Sequence, residues 1–170
     1  MDADLLATFF ALLLLCGTAG VVAAWFVPTL KTEVGRSALT VAAVVTVGAS
    51  LGSLWFSESA GFVPCELCWY QRIAMYPLAV LVTIAAIRGD HHIRPYAMVL
   101  ASAGGLISLY HSQVQLFPEQ SSVCQASNPC SAAWVDALGF LTIPHMAAIA
   151  FALVIGLLAL PYSFDPQEQP

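Results

Sequence analysis

Four of the five cysteines in this 170-residue chain fall in two close pairs. Cys65 and Cys68 make a C-x-x-C, and Cys124 and Cys130 a C-x5-C. Thiols at such spacings can staple a loop as a structural disulfide, offer thiolates to a metal ion, or pass a disulfide from one pair to the other. Arg72 follows Cys68 by four residues. On a helix the two share a face, about 6 Å apart along the axis. A helix N-terminus and a nearby cation both lower a thiol pKa, and the thiolate is the reactive form. This neighbourhood favours exchange, with Cys68 as the activated sulfur. Cys16 stands among leucines and reads as an inert, buried small hydrophobe.

Composition says what must position these thiols. The chain is 59% hydrophobic and 9% charged, with a mean hydropathy of +0.83. A soluble domain carries roughly a quarter of its residues as charges, so the solvent of this chain is mostly lipid. Five segments reach the length of about 20 apolar residues that spans a bilayer: residues 5–27, 37–56, 69–87, 95–113 and 144–160. A lone span satisfies its backbone only as a helix, so the expectation is one all-α membrane domain over residues 1–170. The leader Met1-Asp2-Ala3-Asp4 is acidic, unlike a signal peptide, so the first segment is read as a retained helix. Pro77 is expected to kink the third helix and free the carbonyl of Ile73. Gly48/Gly52 and Ala101/Gly105 are small pairs four apart that let helices approach closely. Trp134, Leu138 and Leu141 have helical spacing, which predicts a short amphipathic helix over residues 131–141.

The few basic residues orient the spans. Lys31 and Arg36 fall between the first two spans, and Arg88 and Arg94 between the third and fourth. These loops share a side, which the positive-inside rule makes the cytoplasm. The amino terminus then lies outside and the acidic tail, residues 165–170, inside. The loops 57–68 and 114–143, with the four paired cysteines, face out. Trp25, Trp55, Trp69, Tyr96 and Tyr162 fall near span ends, where amphipathic rings anchor. An oxidising exterior favours disulfides, and local pairing has the smallest closure cost. Asn128-Pro129 adds a turn between Cys124 and Cys130. A lipid-embedded bundle has little need of staples, and a zinc site would compete with oxidation, so no metal is expected. A net charge of −5 argues against a nucleic-acid partner. Arg72 alone breaks the charge pattern, at a cost that makes a functional role its default reading.

A relay needs a terminal acceptor. The chain has no G-x-G-x-x-G after a strand and no C-x-x-C-H. The acceptor should therefore dissolve in the membrane, as a quinone (ubiquinone or menaquinone) does. His111 and Gln115 share a helix face and could hydrogen-bond it. His145 starts a helix, and His91 and His92 fall on the cytoplasmic side.

At these residues the chain resembles the DsbB-type disulfide bond formation proteins, which are thiol:quinone oxidoreductases. The marks run from Cys65-Glu66-Leu67-Cys68-Trp69-Tyr70-Gln71-Arg72 through residues 110–118 to residues 138–144. The tight C-x5-C and Phe140-Leu141-Thr142-Ile143-Pro144 look more like the BdbC-type branch. The resemblance implies a four-helix transmembrane bundle, here with one extra N-terminal helix. It implies that Cys68 faces the quinone and forms a charge-transfer or covalent adduct with it. It implies that Arg72 stabilises the anion, and that His111 and Gln115 border the quinone. It further implies that Cys124 takes the mixed disulfide with a thioredoxin-fold oxidant of the DsbA type, and that Cys130 passes electrons to Cys65. Vitamin K epoxide reductases also combine a C-x-x-C with loop cysteines, but there the loop pair comes first. A non-enzymatic metal-binding membrane protein is the alternative from another class.

Overall fold

The computed structural model describes residues 2–120, 123–124 and 127–161. Tyr162 and the acidic tail lie outside the described residues. The described residues form five α-helices: α1 (Ala3–Phe26), α2 (Pro28–Glu58), α3 (Glu66–Arg88), α4 (Arg94–Leu116) and α5 (Ile143–Leu158). Among the described residues there is no strand, only one isolated antiparallel bridge between Ala137 and Leu141. Helices α1, α2 and α3 are long and apolar enough to cross a membrane, and α5 is a shorter apolar helix. The chain is a multi-pass membrane protein.

Helix α2 starts nine residues before the expected span, because lipid-crossing length and helix length are different quantities. Pro28 occupies its first turn, where a missing N–H costs nothing. Lys31 and Arg36 therefore sit on a helix, and only Val27 separates α1 from α2. At the other end, Cys68 lies inside α3, not in a loop. Pro77 is accommodated within a continuous α3.

Helix α2 packs on α3 and α5, and α4 packs on the same two helices. The contacts close a ring in the order α2, α3, α4, α5. Helix α1 lies against α5 and α2. Arginines mark which ends meet. The Arg94 guanidinium, at the start of α4, donates to the carbonyls of Leu160 (2.7 Å) and Leu158 (3.5 Å) at the end of α5. It also donates to Gly35 in the first turns of α2 (3.3 Å). At the opposite end, Arg72 of α3 bonds the last turns of α2.

Small residues hold α4 in place. Ala97, Ala101 and Ser108 are fully buried, and a Cβ on Gly104 would overlap the Phe151 ring of α5 and approach Ala74 Cβ of α3 to 2.9 Å. Lipid offers no hydrophobic drive between helices, so this close approach supplies the attraction. Of the expected small pairs, Gly52 receives Phe10 of α1, with 3.1 Å between a built Cβ and that ring, whereas Gly48 faces nothing within 4 Å.

The segment 131–141 is not a helix. Val135, Ala137 and Leu141 are buried, while Trp134 and Leu138 are nearly half exposed. Leu138 and Gly139 adopt φ of 58° and 80°, which closes a tight turn under the bridge. The helical spacing of Trp134, Leu138 and Leu141 was coincidental, and alternation decides which side chains go in. Cys16 is exposed on the outer face of α1, not buried in the protein, because an apolar helix in lipid can turn any face outward.

Gly104→Ala should destabilise the protein by about 1–3 kcal/mol through overpacking against Phe151, whereas Gly48→Ala should be nearly neutral. Thermal unfolding in detergent, followed by loss of helical circular dichroism, measures both.

Candidate functional site

The site is built at the N-terminus of α3, where Val63 and Pro64 lead the chain in extended and Cys65 caps the helix. The Cys65 sulfur accepts the backbone N–H of Cys68 at 3.4 Å. The helix end thus directs its free N–H to Cys65 and not, as the spacing predicts, to Cys68. The two sulfurs are 3.0 Å apart and unbonded to each other. One turn on, Cys68 lines a cavity.

Cys65 is buried at the meeting point of α3, α4 and the long loop. His111 of α4 lies beside it, with Nε2 3.7 Å from the Cys65 sulfur and 3.1 Å from the Cys130 carbonyl. Gln71 donates its amide N–H to His111 Nδ1 at 3.1 Å. That leaves the ring proton on Nε2, aimed at Cys65 and Cys130. Cys124 and Cys130 form a disulfide with a Cα separation of 5.8 Å, as local pairing predicts. The Cys130 sulfur, the Cys65 sulfur and a His111 nitrogen all lie within 4.8 Å of one another. The open pair and the closed pair are therefore side by side.

Among the described residues, further hydrogen bonds hold the loop there. Asn128 donates to the Pro64 carbonyl (3.0 Å), Gln115 to the Ala132 carbonyl (3.3 Å), and Thr142 to the Gln115 side chain. Thr142 Oγ1 also lies 2.7 Å from His145 Nδ1, so His145 helps pin the end of the loop. His111 and Gln115 thus both touch the loop, and neither lines the large cavity.

That cavity holds about 450 Å³ and is bounded by α1, α2, α3 and α5. Its wall is apolar except at one end, where Cys68, Gln71, Arg72, Ser53 and Ser57 gather. Arg72 donates from Nε to Ser53 Oγ (2.9 Å) and from Nη2 to the Ser53 carbonyl (2.8 Å) and Ser57 Oγ (3.0 Å). Its guanidinium lies 5.2 Å from the Trp69 ring centre. These partners offset the cost of placing a cation at the edge of lipid. Tyr76, on the same wall, has a buried hydroxyl with no partner among the described residues.

Sequence reasoning passed over Gln71, Ser53, Ser57 and Glu66. A glutamine inside an apolar helix was a signal in itself, since an unsatisfied amide there is costly. The serines carried none, because Ser is common in such helices. Glu66 has a carboxylate oxygen within 4.8 Å of both disulfide sulfurs.

A helical membrane protein that sets an open dithiol against a closed disulfide is, by class, a thiol–disulfide oxidoreductase. A family model described as "Disulfide bond formation protein DsbB" matches residues 35–161, and the chain belongs to that family, whose role is in disulfide bond formation. It is 46% identical over 114 residues to "Disulfide bond formation protein C" of Bacillus subtilis, covering 66% of this chain and 83% of that protein. It is 43% identical over 133 residues to a "Probable disulfide formation protein" of Deinococcus radiodurans, covering 72% of this chain and 87% of that one. No solved structure matches the chain. The family match begins within α2 and leaves α1 outside.

The thiol of Cys65 is held below its ordinary value of 9.0, at about 4, chiefly by the hydrogen bond from Cys68 and further by His111 and the Cys68 N–H, against the opposing effect of burial. A lowered thiol pKa stabilises the reduced fold fully above the ordinary value, and this contribution is lost as pH falls through about 4. Thiolate ultraviolet absorbance of the reduced protein should therefore titrate near pH 4. In Cys65→Ser the acidic transition should vanish.

Proposed function

We propose that the chain is a membrane thiol:quinone oxidoreductase. It reoxidises an extracytoplasmic thioredoxin-fold dithiol oxidase of the DsbA type and so sustains disulfide formation. Helices α2 to α5 form its four-helix transmembrane bundle and α1 is an added span. The amino terminus and both cysteine pairs face outside and the carboxyl terminus faces the cytoplasm, following the distribution of Lys31, Arg36, Arg88 and Arg94.

One observation carries this reading. Cys65 is within reach of Cys130, and its neighbour Cys68 lines an apolar cavity of about 450 Å³. A quinone, when bound, supplies a two-electron, two-proton acceptor. The donor set suits such a group: an apolar cavity with thiol and guanidinium at one end and, in its wall, Tyr76, whose buried hydroxyl has no partner among the described residues.

The residues then act in order. A partner thiolate attacks the Cys124 sulfur and Cys130 leaves as a thiolate. The second partner thiol closes the partner's disulfide, leaving Cys124 and Cys130 reduced. Cys130 next attacks Cys65 of an oxidised Cys65–Cys68 pair, and Cys68 leaves as a thiolate. Cys124 attacks Cys130 of that mixed disulfide, restoring its own pair and freeing Cys65 beside the His111 Nε2–H. Two electrons now rest on Cys65 and Cys68, and re-closing that disulfide delivers them to the acceptor. Arg72, anchored by Ser53 and Ser57, holds positive charge where Cys68 and the acceptor gain negative charge. A DsbA-type partner lies near about −120 mV, so an ordinary disulfide could not reoxidise it without an acceptor that draws electrons onward.

Cys65→Ser and Cys68→Ser should each abolish quinone reduction by a reduced thioredoxin-fold partner, followed by loss of quinone absorbance. Normal turnover in either variant would overturn the mechanism. Arg72→Ala should lower kcat/KM for quinone by about 10- to 100-fold, or ~1.4–2.7 kcal/mol. Exchange between the partner and Cys124–Cys130, trapped as the mixed disulfide, should be unchanged.

A further inference from the structure

Beside the large cavity is a second, of about 20 Å³, lined by Cys65, Cys68 and His111 with Gln115 and Pro144 at its edge. That volume admits one water-sized body. Beside it, the Cys65 and Cys130 sulfurs and a His111 nitrogen lie within 4.8 Å of one another, three donors grouped as a tetrahedral d10 cation would need them. Zinc bonds of ~2.3 Å to sulfur and ~2.0 Å to imidazole place adjacent ligands roughly 3.5–3.8 Å apart. The Cys65 sulfur is 3.7 Å from His111 Nε2, at that spacing, while the Cys68 sulfur, 3.0 Å from that of Cys65, sits closer than two metal-bound thiolates and joins the set by turning outward about its side chain. The Cys130 sulfur lies within 4.8 Å of Cys65 and His111, but while bonded to Cys124 it cannot act as a thiolate ligand.

We propose that the fully reduced protein binds one zinc ion through Cys65, Cys68, Cys130 and His111, and that this binding switches the relay off. Both disulfides must be open, because an intact Cys65–Cys68 or Cys124–Cys130 bond removes thiolate ligands. That condition arises when partner thiols keep arriving and the electron acceptor is exhausted. Binding moves no electrons. The cation displaces the protons still held by the three thiols, and the His111 proton shifts from Nε2 to Nδ1. Gln71, already 3.1 Å from Nδ1, accepts a hydrogen bond from the Nδ1–H when its amide turns to present oxygen, a positioning contact of the kind that orients metal-bound histidines. With Cys65, Cys68 and Cys130 all bound to the metal, neither thiol exchange nor electron delivery can proceed. Returning acceptor cannot close the Cys65–Cys68 disulfide until the zinc leaves. Metal binding itself requires no quinone, so it stands or falls separately from the acceptor proposed above.

The test uses the full chain in detergent, reduced and then freed of reductant without oxygen, with Co2+ as a spectroscopic probe and Zn2+ as competitor. The expected result is one equivalent of tetrahedral cobalt with thiolate charge-transfer absorption, displaced by zinc and absent from the oxidised protein. His111→Ala and Cys130→Ser should each weaken binding at least about 10-fold, while Cys124→Ser should retain the spectrum. In wild-type protein, zinc should shield Cys65, Cys68 and Cys130 from alkylation, read by mass spectrometry, and leave Cys124 reactive. This second measurement needs no variant to fold. Equal binding by the oxidised protein, no cobalt–thiolate band after reduction, loss of the spectrum in Cys124→Ser, or protection of Cys124 in place of Cys130 would overturn the proposal.

Discussion

The chemistry depends on holding one sulfur, that of Cys65, where three elements meet. The start of α3 gives it a backbone N–H, α4 gives it His111, and the long loop brings Cys130. An unpaired loop could not hold Cys130 there against its own conformational entropy. The ties from Asn128 to Pro64, Gln115 to Ala132, and His111 to the Cys130 carbonyl do so. Each ends on a backbone carbonyl, so satisfying the chain's own hydrogen-bonding groups also fixes the geometry around Cys65.

The C-x-x-C spacing then divides the labour between its two sulfurs. The N-cap sulfur of Cys65 is turned toward the loop, and Cys68, inside the first turn, is turned toward the apolar cavity. The pair thus faces the closed disulfide with one sulfur and the apolar cavity with the other. Arg72 belongs to the second side. Its bonds to Ser53 and Ser57 join α2 to α3 and hold its charge on the cavity wall.

Helix α1, outside the segment that the family model matches, is also part of that second side. Phe10 fits over Gly52 of α2, Leu153 of α5 over Gly17, and Val21 over Gly156 of α5. Three glycines thus let α1 approach α2 and α5, and its Leu13, Leu14 and Gly17 complete the cavity wall. Without it, that side of the cavity would open directly to lipid.

Composition and spacing alone determined that the chain is helical and membrane-embedded and that the nearest partner of Cys124 is Cys130, and they marked Arg72 near Cys68 as a charge that needs partners. These are local or bulk properties, set by hydropathy, loop length and the cost of a charge in lipid. Tertiary structure decided everything that depends on which way a helix faces. In lipid an apolar face can point inward or outward at equal cost, so periodicity could not show that Cys16 lies outside, that Gly104 and not Gly105 meets Phe151 closely, or that His111 turns toward Cys65 and away from the large cavity. The same ambiguity hid the roles of Ser53, Ser57 and Gln71. In the loop, hydrogen bonds to distant carbonyls and the positive φ of Leu138 and Gly139 overrode the apparent helical period, because residues so far apart in sequence interact only once the helices have brought them together.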